Sequence, residues 1–151
     1  MFVAMVAEDE KRENGRLQSL LDETKGCAVI DSGCATTVCG EEWAEDFIEN
    51  LCDEEKDNVH EEPSNEYFTF GDGHSVKSLK RLSIPCWIQG MERGYITTEV
   101  VKPKIPLLLS KTSMKKQDMV LDFKNDTIIC GNEVIQLKNT GSGHYALPLG
   151  L

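Results

Sequence analysis

The residues best suited to chemistry stand together between Cys27 and Gly40, in the run Cys-Ala-Val-Ile-Asp-Ser-Gly-Cys-Ala-Thr-Thr-Val-Cys-Gly. Three apolar residues, Ala28, Val29 and Ile30, lead straight into Asp31-Ser32-Gly33, the pattern of a buried strand that delivers one carboxylate to the start of a tight turn. Gly33 permits a backbone conformation that a Cβ resists, and Ser32 offers a hydroxyl able to bond across to another backbone or to a second copy of the chain. A carboxylate fixed in this way can serve as general base or general acid when a partner group takes the complementary role. The triplet alone decides little, because Asp, Ser or Thr, and Gly coincide by chance in roughly one chain in twenty of this length. The elements around it must carry the reading.

Those elements fit into one domain, since 151 residues suffice to bury a core without covalent staples. The formal charge is -10, from 26 acidic and 16 basic side chains, which argues against nucleic acid or an anionic membrane as the main partner. Six cysteines at 27, 34, 39, 52, 86 and 130 include no CxxC pair and no zinc-type spacing, so reduced thiols are expected and no metal or cofactor is. Met1 to Ala7 is apolar but too short to span a membrane, has no positive lead-in, and reads as an edge or interface strand. With no secretory signal, a cytoplasmic, reducing location is expected.

Along the chain, Arg16 to Leu21 and Cys27 to Ile30 flank a polar bridge closing on Gly26, which predicts a hairpin whose second strand ends at Asp31. Residues 41 to 66 hold twelve of the 26 acids and a single lysine. Within them Trp43, Phe47, Ile48, Leu51 and Cys52 recur at helical spacing, predicting an amphipathic helix from about Glu42 to Cys52 and then a mobile loop through Asn65. The acids read as a solvated face, because their spacing does not match a calcium-binding loop. Tyr67 to Phe70 and Ser75 to Leu79 alternate around Gly71-Asp72-Gly73-His74 and predict a hairpin with a loose glycine tip. A second hairpin joins Leu82 to Ile88 with Tyr95 to Val101, and Ile105-Pro-Leu-Leu-Leu-Ser110 has the continuous apolar character of a central strand. Lys111 to Lys116 suggests a one-turn helix with Met114 facing inward. A meander over 119–123, 127–130 and 133–137 follows, and a glycine hinge leads to a last strand at Tyr145 to Leu149. Many short strands with one or two short helices make this an all-β chain.

Taken in order, Asp31-Ser32-Gly33, the Gly71-Asp72-Gly73 tip and Ile105-Pro-Leu-Leu-Leu-Ser110 leading to Met114 resemble the retropepsins, the retroviral-type aspartic proteases. The likeness runs from about Leu17 to Phe123. It is greatest to the protease segment of retrotransposon polyproteins, where Val-Ile-Asp-Ser-Gly-Cys, Phe-Gly-Asp-Gly, Ile-Pro-Leu-Leu-Leu-Ser and a closing Gly-His-Tyr recur together. This resemblance implies an acid-protease closed barrel with one lobe per chain, a core at about 17–123 and a C-terminal β extension at 124–151. It also implies Asp31 as the catalytic carboxylate, Ser32 as its supporting hydroxyl and Gly33 as a backbone contact to substrate. Cys34 joins Gly33 at the substrate, and Gly71, Asp72 and Gly73 form a flap tip that closes over a bound peptide. The chain departs from the family's commoner pattern at Cys34, where Ala is usual, at Ser110, where Gly is usual, and in the extension past Lys124.

Hydrolysis by this route requires two carboxylates sharing one proton, and neither Asp72 nor Asp126 completes a second triplet. The expected assembly is therefore a homodimer acting on a peptide or polyprotein, with Phe2 to Val6 and Tyr145 to Leu149 as candidate contact strands. Two other readings stand beside it. One is a retropepsin-like dimerisation or peptide-binding module without turnover, suggested by Cys34 and Ser110. The other is a thiol redox or metal protein using Cys27, Cys34 and Cys39, for which buried reduced thiols are an equal explanation. His60, His74 and His144 are scattered, and none is placed by sequence to make a Cys-His hydrolase.

Overall fold

A computed structural model describes residues 2–3, 20–71 and 73–150. The chain is mostly β, with helices at Glu41–Glu49, Asp53–Lys56 and Lys111–Lys116 and a helical segment at 20–23 among the described residues. The strands are β1 (Phe2–Val3), β2 (Cys27–Asp31), β3 (Val38–Gly40), β4 (His60–Glu62), β5 (Tyr67–Phe70), β6 (Ser75–Lys77) and β7 (Lys80–Cys86). They continue with β8 (Gly94–Val101), β9 (Leu107–Ser110), β10 (Val120–Asp122), β11 (Thr127–Cys130), β12 (Glu133–Gln136), β13 (Lys138–Asn139) and β14 (Tyr145–Pro148).

Eight of them form a mixed sheet in the order β13-β14-β2-β9-β3-β8-β7-β4. At its centre β9 lies parallel to β2 and antiparallel to β3, and all four of its residues are buried, which is why Leu107-Leu108-Leu109 reads as an unbroken apolar run. The hydrogen-bonded ladder is open at β13 and β4. A single antiparallel bridge from Trp87 to Gly150 joins the residue after β7 to the chain just past β14.

The two faces of β2 and β9 feed different clusters, as the pleat requires. Ala28, Leu107 and Leu109 pack with Trp43, Phe47 and Leu147 on one face. Val29 and Leu108 pack with Cys34, Val38, Val101 and Ile105 on the other, joined there by Phe68 and Phe70 from β5. Hairpin β5–β6, paired from Tyr67↔Lys77 to Thr69↔Ser75, is thereby seated on the face of β2 that carries Asp31. Its tip is closed by Gly73 N–H donating to the Phe70 carbonyl at 2.9 Å, with Gly73 in the left-handed region at φ +88°.

Some expectations change. Residues 20–23 are helical, so the predicted hairpin before Asp31 does not form there; residues 16–19 lie outside the described residues. Leu20 and Leu21 are both buried, and Gly26 at φ +68° ends this helical segment in the left-handed conformation that commonly follows a helix. The partner of β2 comes instead from the far end of the sequence, with Ala146 opposite Val29. The helix predicted to reach Cys52 ends at Glu49. The acidic loop after it is structured: Asp53–Lys56 is helical, and β4 pairs with β7, where Glu61 meets Lys80 at 2.9 Å and Glu62 meets Arg81 at 3.2 Å. Its acids are thus partly matched by cations on the neighbouring strand. Tyr145–Pro148 lies between β13 and β2 in its own chain, with Ala146 to Pro148 paired to β2 and Tyr145 and Ala146 paired to β13.

Candidate active site

Asp31 ends β2 in register with Ser110 of β9, so a largely buried pair of strands fixes the carboxylate's backbone. The turn that follows is held by Cys34 N–H donating to the Asp31 carbonyl at 3.1 Å and by Gly33 N–H donating to Asp31 Oδ1 at 3.0 Å. Asp31 is only 8 % exposed, and its Oδ2 is buried with no hydrogen-bond partner among the described residues. Burial pushes the carboxyl above the usual aspartate range; the Gly33 N–H and, electrostatically, His144 pull the other way. A carboxyl biased toward keeping a proton, with one oxygen pinned and the other unpaired, is equipped for acid–base chemistry.

Ser32 and Gly33 are exposed, and the Ser32 hydroxyl has no partner among the described residues. Cys34 points inward, fully buried, and its thiol donates to the Thr36 carbonyl at 2.8 Å; burial, chiefly, pushes it up to about 11. The larger side chain at this position is therefore absorbed by the apolar cluster shared with Phe68 and Phe70. Gly71 and Gly73 stand exposed at the tip of the hairpin on the same face, and Asp72 lies outside the described residues.

Behind the loop lies a hydroxyl cluster that sequence reasoning missed. Thr37 Oγ1 donates to Ser110 Oγ at 3.1 Å, lies 2.8 Å from Ser113 Oγ, and accepts the buried Ser110 N–H at 3.1 Å. Ser110 also caps the helix Lys111–Lys116 by accepting Ser113 N–H at 3.1 Å, so its hydroxyl both accepts and donates within the cluster. The backbone of this junction reaches the active loop directly, with Lys111 N–H donating to the Cys34 carbonyl at 2.9 Å. The available signal was a serine just before a short helix, but its link to Thr37 spans distant parts of the chain.

A cavity of about 280 Å³ lies elsewhere, between Trp87, Met91, Tyr95, Met119 and Leu149, with Leu109 and Ser113 on its border. Leu109 belongs to the face of β9 opposite Leu108, so this cavity is behind the active loop and not in front of it. The exposed Ser32-Gly33 face is an open surface in the single chain. Among the described residues no three His, Cys, Asp or Glu side chains gather where they could hold a metal ion, and no helix is long and apolar enough to cross a membrane.

No protein-family model matches the chain, and no curated protein matches it. Among solved structures it is similar to the retroviral protease-like domain of Ddi1 from Leishmania major, at 16 % identity and a TM-score of 0.49, over 75 % of this chain and 93 % of that one. At such identity and score the likeness assigns nothing, and the reading of the site rests on Asp31 and the groups around it.

Proposed function

We propose that the chain is an aspartic endopeptidase whose catalytic centre is assembled from two copies, each contributing Asp31. The observation that carries this reading is the state of that carboxylate: buried, pinned at Oδ1 by Gly33, unpaired at Oδ2, and set beside an exposed Ser-Gly turn. Peptide hydrolysis needs one carboxylate to take a proton from water while another donates to the scissile carbonyl oxygen. Two carboxylates about 3 Å apart cannot both ionise, so such a pair holds one proton between them. The burial that raises the Asp31 pKa favours retention of that proton. The second carboxylate comes from a second chain about a two-fold axis at the exposed turn, where Ser32 is free to bond across.

In this reading the substrate lies extended between the turn and hairpin β5–β6. Gly33 and Cys34 bound it below, Gly71, Asp72 and Gly73 close above it, and its backbone pairs with protein strands. The motif order supports a retroelement polyprotein as the natural substrate. The test is cleavage of a peptide mixture by wild-type and Asp31→Asn protein, with and without a transition-state inhibitor of aspartic proteases. Inhibitable cleavage by wild type and none by the variant is expected. Cleavage persisting in Asp31→Asn after contaminating protease is excluded would overturn the assignment, and no cleavage by either protein would favour a peptide-binding module.

A further inference from the structure

His144 is the histidine that the fold brings to Asp31. The β14–β2 ladder pairs Ala146 with Val29 and Leu147 with Ala28, and continuing that register by two places sets His144 opposite Asp31. Residues facing each other across an antiparallel pair share a side of the sheet, and alternate residues of one strand do too. His144 therefore projects to the side of Ala146, Val29 and Asp31, away from Leu147, which packs in the other cluster. Its backbone is fixed on the far side: Thr140 N–H donates to the His144 carbonyl at 2.9 Å, and His144 N–H donates to Thr140 Oγ1 at 3.0 Å. The turn between them is closed by Gly143 at φ +85° and tied down by Gly141 N–H donating to Glu23 Oε2 at 3.0 Å.

We infer that His144 is a positioning residue for the Asp31 pair, its imidazolium holding the paired carboxylates in their singly protonated form at acidic pH. The inference rests on the endopeptidase reading. Imidazole is the side chain type that gains its charge on mild acidification, and an imidazolium at this position would set a positive charge beside the pair. A cation beside the pair opposes uptake of a second proton, and so extends activity to lower pH. Other titratable or charged groups on the surrounding elements are the Cys34 thiol in the active loop, Lys111 after β9, Lys138 on β13, Glu23 on the Gly141 amide, and His74 and Lys77 of hairpin β5–β6. Burial pushes the Cys34 thiol up to about 11, so it stays neutral at mildly acidic pH. His74 stands exposed in the flap.

The experiment compares wild type with His144→Gln, which removes the cation, and with His144→Lys, which keeps it at every pH used. His74→Gln controls for the flap histidine. Two readouts are taken: the pH profile of kcat/KM on a cleaved peptide, and titration of the Asp31 carboxyl carbon by NMR in protein made with carbon-13-labelled aspartate, assigned with Asp31→Asn. In His144→Gln the acidic limb and the Asp31 titration should both move up by about half to one pH unit, the size expected when one neighbouring charge near a surface is removed. His144→Lys should restore both toward wild type, and His74→Gln should move neither. Unchanged limbs and titrations in a folded His144→Gln protein would overturn the inference; His144→Asn replaces it if that variant does not fold. If no variant or wild-type protein cleaves any peptide, the endopeptidase reading fails, while the Asp31 titration still decides whether His144 acts on that carboxyl.

Discussion

Replacing Thr37 by Val keeps the shape of a buried side chain and deletes one oxygen, at a point where the structure makes the consequence calculable. Thr37 is 3 % exposed and Ser110 1 %, so water cannot replace what is lost. The Ser110 N–H, now accepted by Thr37 Oγ1, would be left unsatisfied, at a cost of about 1–3 kcal/mol. The two hydroxyl contacts of Thr37 would also go, but Ser110 and Ser113 keep each other at 3.0 Å, which limits that part to about 1 kcal/mol. A net loss of roughly 2–3 kcal/mol follows, or about 5–10 °C in Tm for a domain of this size. Thr37→Ser retains the oxygen and should lose no more than about 1 kcal/mol for its missing methyl group. Urea unfolding at one fixed chain concentration, so that any association contributes equally, measures both. A Val variant within about 0.5 kcal/mol of wild type, or a Ser variant as damaged as the Val variant, would refute the role given to this oxygen.

Gly40→Ala should be strongly destabilising, on the order of 3 kcal/mol, because its Cβ would lie 2.6 Å from the Pro103 carbonyl and 2.7 Å from that of Ile105; urea unfolding reads it, and a near-neutral result would contradict the packing of β3 against that loop. Asp31, whose pKa is raised by burial, contributes stability that is fully present below the unfolded carboxylate range and is lost as pH rises through its folded value. Asp31→Asn should accordingly gain stability over wild type near neutrality, with the difference shrinking on acidification; a difference independent of pH would show that the carboxyl is not held in a desolvating site. Among the cysteines, exposed Cys52 should be alkylated first at pH 8, whereas Cys34 and Cys39, buried and with thiols pushed up to about 11 and about 12, should react only on unfolding, as a peptide mass map would show.

Local patterns carried far in this chain and long-range pairing did not. The apolar run before Asp31, the alternation around the Gly71–Gly73 tip and the continuous Leu107-Leu108-Leu109 strand all report burial through periodicity, and each forms the element its pattern implied. The stretch before Gly26 misled because a polar segment ending in glycine describes a helix terminus as well as a hairpin turn, and only the burial of Leu20 and Leu21 separates the two. The acidic segment looked mobile because its stability comes from β7, whose Lys80 and Arg81 are distant in sequence. The links of His144 and Thr37 to the Asp31 region were not legible for the same reason. Each meets the Asp31 region through a strand register or hydroxyl contact between remote segments, and no spacing within one sequence encodes such a pairing.

The central claim is that one working site needs Asp31 from two chains, and subunit mixing tests it most directly. Wild-type and Asp31→Asn chains are unfolded, combined in equal amounts and refolded together, so that pairing is random. About a quarter of the dimers then carry two Asp31 carboxylates. Activity per wild-type chain should fall to about half that of wild type refolded alone at the same total chain concentration. Activity per wild-type chain that is unchanged by the inactive partner would mean that Asp31 acts within a single chain, and would contradict the account.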